Sequence, residues 1–191
     1  MPPSTAYKIK VCLVGEAVVG KTSLIRRFVL DQFDDRYTST LGAKTTKAEI
    51  AVEDPETGEP VGIAMLIWDI MGDRHVPESL LQAYFRGTQG VIAVCDVLRL
   101  PTIERLRDWV QSVYSVAGAL PTICAVNKAD LLREAEAIYE GNDLNARIAS
   151  LGAPHFLTSA KTGENVRTIF HRLAEDVLRR HRSESVTLPD A

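Results

Sequence analysis

A glycine-rich stretch near the N-terminus constrains this chain more than any other feature. Positions 15–22 hold a glycine, four further residues and then Gly-Lys-Thr, which is the spacing of a phosphate-binding loop. The mostly apolar residues 9–14 precede the loop and indicate a buried strand. Apolar residues then recur at helical spacing, at Leu24, Ile25, Phe28 and Val29. Strand, loop and helix in this order are the context that such a loop requires.

The residue types of this loop explain its chemistry. Its two glycines let the backbone turn tightly, so that successive N–H groups point at one anion, and the following helix adds its positive end. Lys21 can place an ammonium group between two phosphates, and the Thr22 hydroxyl can bind Mg²⁺. We therefore predict a nucleotide phosphate site at Gly15, Glu16, Ala17, Val18, Val19, Gly20, Lys21, Thr22 and Ser23. The alternative is a glycine-rich turn without a ligand.

Length and composition exclude several classes of protein. A chain of 191 residues suits one α/β domain with a sizeable core, and a net charge of −3 argues against general nucleic-acid binding. Cys12, Cys95 and Cys124 each lie in an apolar run, which favours buried thiols in a reducing compartment over disulfides or a metal cluster. The sequence has no apolar run that spans a bilayer and no signal peptide, so we expect a cytoplasmic protein.

Hydrophobic periodicity predicts alternating strands and helices. Strands are predicted at about 8–14, 43–52, 61–68, 90–96, 121–126 and 155–157, and helices at about 20–30, 76–85, 102–117, 131–151 (with a break near 141) and 166–177. The turn at 54–60 makes the second and third strands antiparallel. The later strands are continuously apolar and separated by helices, which implies a mostly parallel sheet covered on both faces. Residues 31–42 have no period and indicate a polar loop beside the phosphate site, where a segment can move.

A second motif, Asp69-Ile70-Met71-Gly72, ends the third predicted strand. A carboxylate there can hold a magnesium-bound water, and the Gly72 N–H can bind a terminal phosphate. The alternative is an ordinary Asp-x-x-Gly turn at the end of a strand.

A third motif, Asn127-Lys128-Ala129-Asp130, follows the fifth predicted strand. The Asp130 carboxylate can accept hydrogen bonds from the N1–H and the exocyclic amine of guanine. Adenine offers no such donor pair and would leave a desolvated charge unpaired. The Lys128 stem can lie along the base, and Asn127 can tie this segment to the phosphate loop. The alternative is a polar turn in which Asp130 caps a helix.

A fourth motif, Thr158-Ser159-Ala160-Lys161, ends the last predicted strand. There the Ala160 N–H can bind the guanine oxygen, and Lys161 can cover the ring.

Four such motifs in this order resemble the Ras superfamily of small GTPases, over about residues 8–180. The Rab-like branch is the most similar, on the phosphate loop, the segments 37–42 and 84–87, and Trp68-Asp69. The resemblance implies a P-loop NTPase fold with a six-stranded, mostly parallel sheet, an antiparallel second strand, and five main helices on both faces. A small GTPase domain is then expected over 8–182, after a lead-in at 1–7 and before a tail at 183–191.

The resemblance also implies a switch that is on with GTP and off with GDP, that hydrolyses GTP with Mg²⁺, and that effectors, activating factors and exchange factors recognise. Thr40 would bind Mg²⁺ and the γ-phosphate, Phe33 would pack on the guanine, and Tyr37 would cover the phosphates. The implied metal residues are Thr22, Thr40 and Asp69, and the implied catalytic residues are Lys21, Thr40, Gly72 and Asp73. The alternatives are a core anchor for Phe33, a surface aromatic for Tyr37 and a strand cap for Thr40. The aromatic residues Trp68, Tyr84 and Phe85 resemble a Rab effector surface, with plain core packing as the alternative.

The chain departs from the family pattern at the hydrolytic position. Asp73 stands where the family usually has the Gln that orients the attacking water. A carboxylate donates no hydrogen bond and adds negative charge near the γ-phosphate, so we predict turnover below the roughly 10⁻⁴ per second of Ras. Asp73 acting as a base, or a partner's Arg or Gln, would offset this loss. Arg74 and His75 are candidates in the same chain, or simply a solvated face.

Two further departures bear on partners and on the membrane. Thr45 stands where Rab proteins favour Phe, so effectors cannot be transferred by analogy. The sequence has no cysteine after Cys124, so we expect no lipid anchor and at most peripheral membrane contact through partners. Either the sequence is truncated or it is an unprenylated member, such as a prokaryotic one. Two other functions stay open: a hydrolysis-deficient GTP-binding module, or a P-loop ATPase or kinase.

Overall fold

The computed structural model describes residues 5–34, 40, 42–73, 76–139 and 142–186. Within them, the strands are β1 (Thr5–Val14), β2 (Ala43–Glu53), β3 (Pro60–Ile70), β4 (Gly90–Asp96), β5 (Thr122–Asn127) and β6 (His155–Thr158). The helices are α1 (Lys21–Leu30), α2 (Glu78–Phe85), α3 (Leu100–Glu104), α4 (Leu106–Ala117), α5 (Leu132–Ile138), α6 (Asn142–Ala149) and α7 (Val166–Val186), with a 3₁₀ turn at Ala129–Leu131.

All six strands form one sheet in the order β2-β3-β1-β4-β5-β6. β2 pairs antiparallel with β3 through the predicted turn, and every other pairing is parallel. This confirms the predicted fold class. β1 lies between β3 and β4, with Leu13 opposite Asp69, so the phosphate loop emerges beside the end of β3. Ligand sites in such sheets lie at the carboxyl ends of the strands.

The core has one layer on each face of the sheet. On one face α1 and α7 pack together, where the Phe28 and Phe170 rings stack at 4.0 Å. On the other face Phe85, Trp109 and Val113 pack against β1, β4 and β5. Every residue of β4 is buried, as expected for a strand covered on both sides.

Two predicted helices are divided in the structure. The segment 102–117 is interrupted at Arg105, where the Asp108 N–H donates to the carbonyl three residues back in place of a regular α-helical bond. The segment 131–151 is divided between α5 and α6, near the predicted break. α7 continues to Val186, into the predicted tail.

The three cysteines are buried thiols, as predicted, and burial raises the pKa of each. Among the helices in the described part of the chain, none is long and apolar enough to cross a bilayer.

Candidate nucleotide and magnesium site

Residues 15–20 connect β1 to α1 in a turn that needs its two glycines. Gly15 has φ +136°, and a Cβ there would lie 2.1 Å from the Val94 carbonyl oxygen. Gly20 has φ +98°, and its Cβ would lie 2.3 Å from Asn127 Nδ2. Val18, at the exposed tip, adopts φ +66°, a costly conformation for a β-branched residue. Other residue types at the two glycines would open the loop.

Lys21 begins α1 and folds back over its own loop. Its side chain is buried, and Nζ donates to the carbonyls of Gly15 and Glu16, each at 2.8 Å. Burial lowers the pKa of the Lys21 ammonium to about 8, although the charges of Asp69 and Glu16 oppose the shift. Only neutral carbonyls accept from this buried cation in the described structure. An anion in the loop would therefore bind it more strongly than its present partners do.

Three oxygen-bearing side chains, predicted to bind Mg²⁺, converge beside Lys21. Thr22 Oγ1 donates to Asp69 Oδ2 at 2.5 Å, and Thr40 Oγ1 lies 3.1 Å from the Thr22 hydroxyl and 3.2 Å from the same carboxylate oxygen. Asp69 is 2% exposed, and its Oδ1 is buried with no hydrogen-bond partner in the described structure. Burial raises the pKa of the Asp69 carboxyl, and the Thr22 bond partly opposes this. Clustered oxygens with one orphaned carboxylate oxygen fit a hard cation such as Mg²⁺.

The end of β3 presses against the phosphate loop. A Cβ at Gly72 would lie 2.3 Å from the carbonyl carbon of Glu16, so this contact requires glycine. Asp73 follows and is exposed. The other predicted switch residues Tyr37, Arg74 and His75 lie outside the described residues.

Asn127 connects three of the predicted motifs. It is 1% exposed at the end of β5, and its Nδ2 donates to the Val19 carbonyl of the phosphate loop at 2.8 Å. Its Oδ1 accepts a 3.3 Å hydrogen bond from the Ala160 N–H. A guanine oxygen at Ala160 would share or replace this long bond. Asn127 therefore sets the relative positions of the phosphate and base segments.

The two segments that are predicted to bind the base also meet through a side-chain bond. Ser159 Oγ donates to Asp130 Oδ1 at 2.6 Å, which orients the carboxylate that we predict to accept from guanine. Lys128 adopts φ +66°, and its Nζ donates to buried Asp96 at 2.6 Å. Lys161 is exposed.

Phe33 is partly buried and packs against the core cluster of α1 and α7. Its packing on guanine stays a prediction. Phe85 lies in the core, whereas Trp68 and Tyr84 are half-buried, with ring centroids 6.2 Å apart. Thr45 is exposed on β2 opposite Trp68, so the surface next to these rings is polar at that position.

Sequence reasoning missed two arginines and an aspartate around the site. Arg99 donates to Asp96 at 3.0 Å and to the Ala17 carbonyl at 2.8 Å, which joins the Lys128 segment to the phosphate loop. Arg27 donates to the carbonyls of Ala160 and Lys161. No local motif reveals the bonds of Arg27 to Ala160 and Lys161 or of Arg99 to Ala17, because these partners are remote in sequence.

Comparison with known proteins agrees with this geometry. The sequence model of the Ras family matches residues 10–179. The GTP-binding protein ypt5 of Schizosaccharomyces pombe is 34% identical over 87% of this chain and 76% of its own length. The Ras-related protein RABG3f of Arabidopsis thaliana is 32% identical over 100% of this chain and 92% of its own length. The Ypt/Rab-type GTPase YPT7 of Saccharomyces cerevisiae is 31% identical over 95% of this chain and 87% of its own length. The chain therefore belongs to the Ras family and is a Rab-like small GTPase.

Proposed function

We propose that this protein is a GTP-binding switch that hydrolyses GTP slowly with Mg²⁺. One observation carries the proposal: the buried Lys21 ammonium, the Thr22–Thr40–Asp69 cluster and the Asn127–Asp130 segment meet at one edge of the sheet. These groups match the charges of a phosphate chain, a divalent cation and a guanine base.

The phosphate end is held by the N–H groups of residues 15–20 and by Lys21. On nucleotide binding, Lys21 exchanges its carbonyl partners for phosphate oxygens, a stronger, charge-assisted interaction. Thr22 and Thr40 would bind Mg²⁺ directly and Asp69 through water, and the ion would supply charge neutralisation for the phosphates when bound.

The guanine base of the nucleotide is recognised by Asp130, Ala160 and Lys161. Asn127 and Lys128 hold these residues in place. Asp130 accepts two hydrogen bonds from guanine, and the Ala160 N–H donates to the guanine oxygen. An adenine ring would leave the Asp130 carboxylate without its two hydrogen-bond donors. The free-energy cost of this unpaired charge is large enough to discriminate strongly against adenine nucleotides. Ser159 keeps the carboxylate oriented.

Asp73 makes the hydrolysis slow. The attacking water needs a group that both accepts and donates hydrogen bonds, whereas an ionised carboxylate only accepts. Its charge also opposes the negative charge that gathers on the transferred phosphoryl group. A partner that supplies an Arg or Gln would raise the rate.

The nucleotide state is read through two segments, 33–42 and 72–80. Thr40 in the first segment and Gly72 in the second contact the γ-phosphate. Loss of the γ-phosphate on hydrolysis therefore releases both segments. Effectors recognise the ordered form, and exchange factors the opened site. In the cytoplasm such partners would bring the protein to a membrane surface.

Single-turnover phosphate release from protein preloaded with GTP tests the proposal. We expect slow release that requires Mg²⁺, with GTP but not ATP as the substrate. Phosphate release no faster than the spontaneous hydrolysis of free GTP, followed over days and with GTP still tightly bound, would identify the hydrolysis-deficient binding module instead. Tight binding and turnover of ATP would identify a P-loop ATPase or kinase.

A further inference from the structure

The side chain of Arg27 bridges α1 and the segment that follows β6. Nε donates to the Ala160 carbonyl at 2.8 Å, and Nη2 donates to the Lys161 carbonyl at 2.6 Å. The side chain is 18% exposed, with the Nε bond partly buried and the Nη2 bond at the surface. Two successive carbonyls of one backbone segment are thus held by one planar group.

The rest of the side chain is fixed as well. Nη1 donates to Asp31 at the C-terminal end of α1, with 3.2 Å to both the carbonyl and Oδ1. The stem lies along the segment, since a Cβ at Gly163 would be 3.8 Å from Arg27 Cδ. Because the guanidinium fork has a rigid geometry, it sets the orientation of both peptide groups. A lysine, with a single ammonium, cannot hold the two carbonyls in the same way.

We propose that Arg27 is a positioning residue for recognition of the guanine 6-keto group. The inference rests on the proposed function, in which the Ala160 N–H binds that oxygen. Arg27 does not touch the base. It holds the Ala160 carbonyl and so fixes the peptide group between Ala160 and Lys161. This group is joined at the Ala160 Cα to the peptide that carries the Ala160 N–H, and it also places the Lys161 side chain.

Because Arg27 lies on α1, it also connects the protein segments that bind the two ends of the nucleotide. α1 begins with Lys21 and Thr22 at the phosphates and carries Arg27 six positions later, about 9 Å along the helix. One rigid element thus fixes the distance between the phosphate site and the keto-binding N–H. Loss of the Arg27 bonds would loosen the base segment and leave the phosphate contacts in place.

Nucleotide analogues separate this role from general stabilisation. GDP and IDP both carry the 6-keto oxygen, ADP lacks it, and only GDP carries the amine that Asp130 binds. We therefore compare the dissociation constants of all three for wild type, Arg27→Lys and Arg27→Gln, with melting temperatures measured alongside. Arg26→Ala is the matched control, because Arg26 is the neighbouring residue, is half-exposed and pairs with Asp34 at 3.9 Å.

We expect both Arg27 variants to bind GDP and IDP about tenfold more weakly each, with an unchanged GDP-to-IDP ratio and unchanged ADP binding. Arg26→Ala should bind as wild type does. Should Arg27→Gln not fold, Arg27→Lys, which keeps the charge, decides alone. Unchanged GDP binding, or an equal weakening of all three nucleotides, would overturn the proposal. A wild type that does not prefer GDP to ADP would overturn the proposed function itself, and this inference with it.

Discussion

Thr22 Oγ1 lies 2.5 Å from Asp69 Oδ2, although 47 positions separate the two residues in sequence. The sheet order explains the contact, because β3 lies directly beside β1. Thr22 lies in the first turn of α1, the helix that follows β1, and Asp69 lies near the end of β3. Two neighbouring strands thus bring a hydroxyl and a buried carboxylate to the same place.

Replacing that carboxylate should remove the response to magnesium. Asp69→Asn keeps a hydrogen-bond acceptor for Thr22 but loses the charge that attracts the ion. In wild type, chelation of Mg²⁺ should speed GDP release by at least about tenfold. In Asp69→Asn, release with and without Mg²⁺ should agree within about threefold, measured with a fluorescent GDP.

Glu49→Gln is the control for the loss of one carboxylate. Glu49 lies exposed on β2 and pairs with Lys47 at 2.7 Å, away from the cluster. In the Glu49→Gln variant, chelation of Mg²⁺ should speed GDP release as much as it does in wild type. A normal response in Asp69→Asn would show that this carboxylate does not hold the ion.

Nucleotide affinity should fall above pH 8 because of Lys21. In the nucleotide-free protein, burial lowers the pKa of the ammonium to about 8, whereas phosphate oxygens would keep it charged in the complex. Binding at higher pH must therefore take up a proton. Affinity should decline above pH 8, by at most about tenfold per pH unit.

Lys21→Ala provides the reference for this pH profile, since guanine also titrates in alkaline solution. The variant should bind GDP far more weakly, and its affinity should change less between pH 7 and 8.5. Isothermal calorimetry in two buffers of different ionisation enthalpy measures the proton uptake directly. Equal pH slopes in both proteins would contradict the shifted pKa of Lys21.

The same linkage predicts a stability effect in the nucleotide-free protein. An unfolded lysine keeps its proton to about pH 10.4, whereas buried Lys21 releases it near pH 8. The unfolded state binds more protons in between, so this group makes the folded protein more stable as the pH rises from 8 to 10. Denaturant unfolding of wild type and Lys21→Ala over that range measures the contribution, and a wild-type curve that falls relative to the variant would refute it.

Asp130→Asn should change which base is bound. The amide offers a donor where the carboxylate accepted, so it opposes the two donors of guanine and suits the C2 carbonyl of xanthine. Loss of two charge-assisted bonds should weaken GDP binding by about 100-fold or more. Xanthosine diphosphate should then outcompete GDP in a displacement assay, and a variant that keeps wild-type GDP affinity would exclude Asp130 from the base site.

Asp73→Gln should hydrolyse GTP faster than wild type. Glutamine restores a donor and removes a charge next to the transferred phosphoryl group, which predicts about a tenfold gain in single-turnover rate. Asp108→Gln, the same exchange at an exposed position on α4 outside both segments, should leave the rate unchanged. A faster wild type would indicate that Asp73 acts as a base.

The parts of the site that lie at strand ends could be predicted from the sequence. Asp69 and Asn127 lie in the last residues of β3 and β5, and Lys21 and Ala160 follow β1 and β6. The carboxyl ends of parallel strands meet at one edge of the sheet. Hydrophobic periodicity was sufficient for β4 and β5, because each is a short apolar run between turns, whereas β2 is polar along most of its length and was placed by the turn that follows it.

The residues that connect these segments could not be predicted in this way. The Arg27 contact with Ala160 spans 133 positions, and the Arg99 contact with Ala17 spans 82. The sequence pattern of a helix does not distinguish an arginine that faces solvent from one that donates to a backbone carbonyl. Likewise, the interruption at Arg105 leaves the apolar face of α3 and α4 continuous, so the sequence period does not reveal it.

Calorimetry of the nucleotide-free protein with GDP and with ADP, at the same Mg²⁺ concentration, tests the central claim most directly. The pairing of Asp130 with guanine predicts that GDP binds at least about 1,000-fold more tightly than ADP. ADP binding as tight as GDP binding, or tighter, would contradict the account.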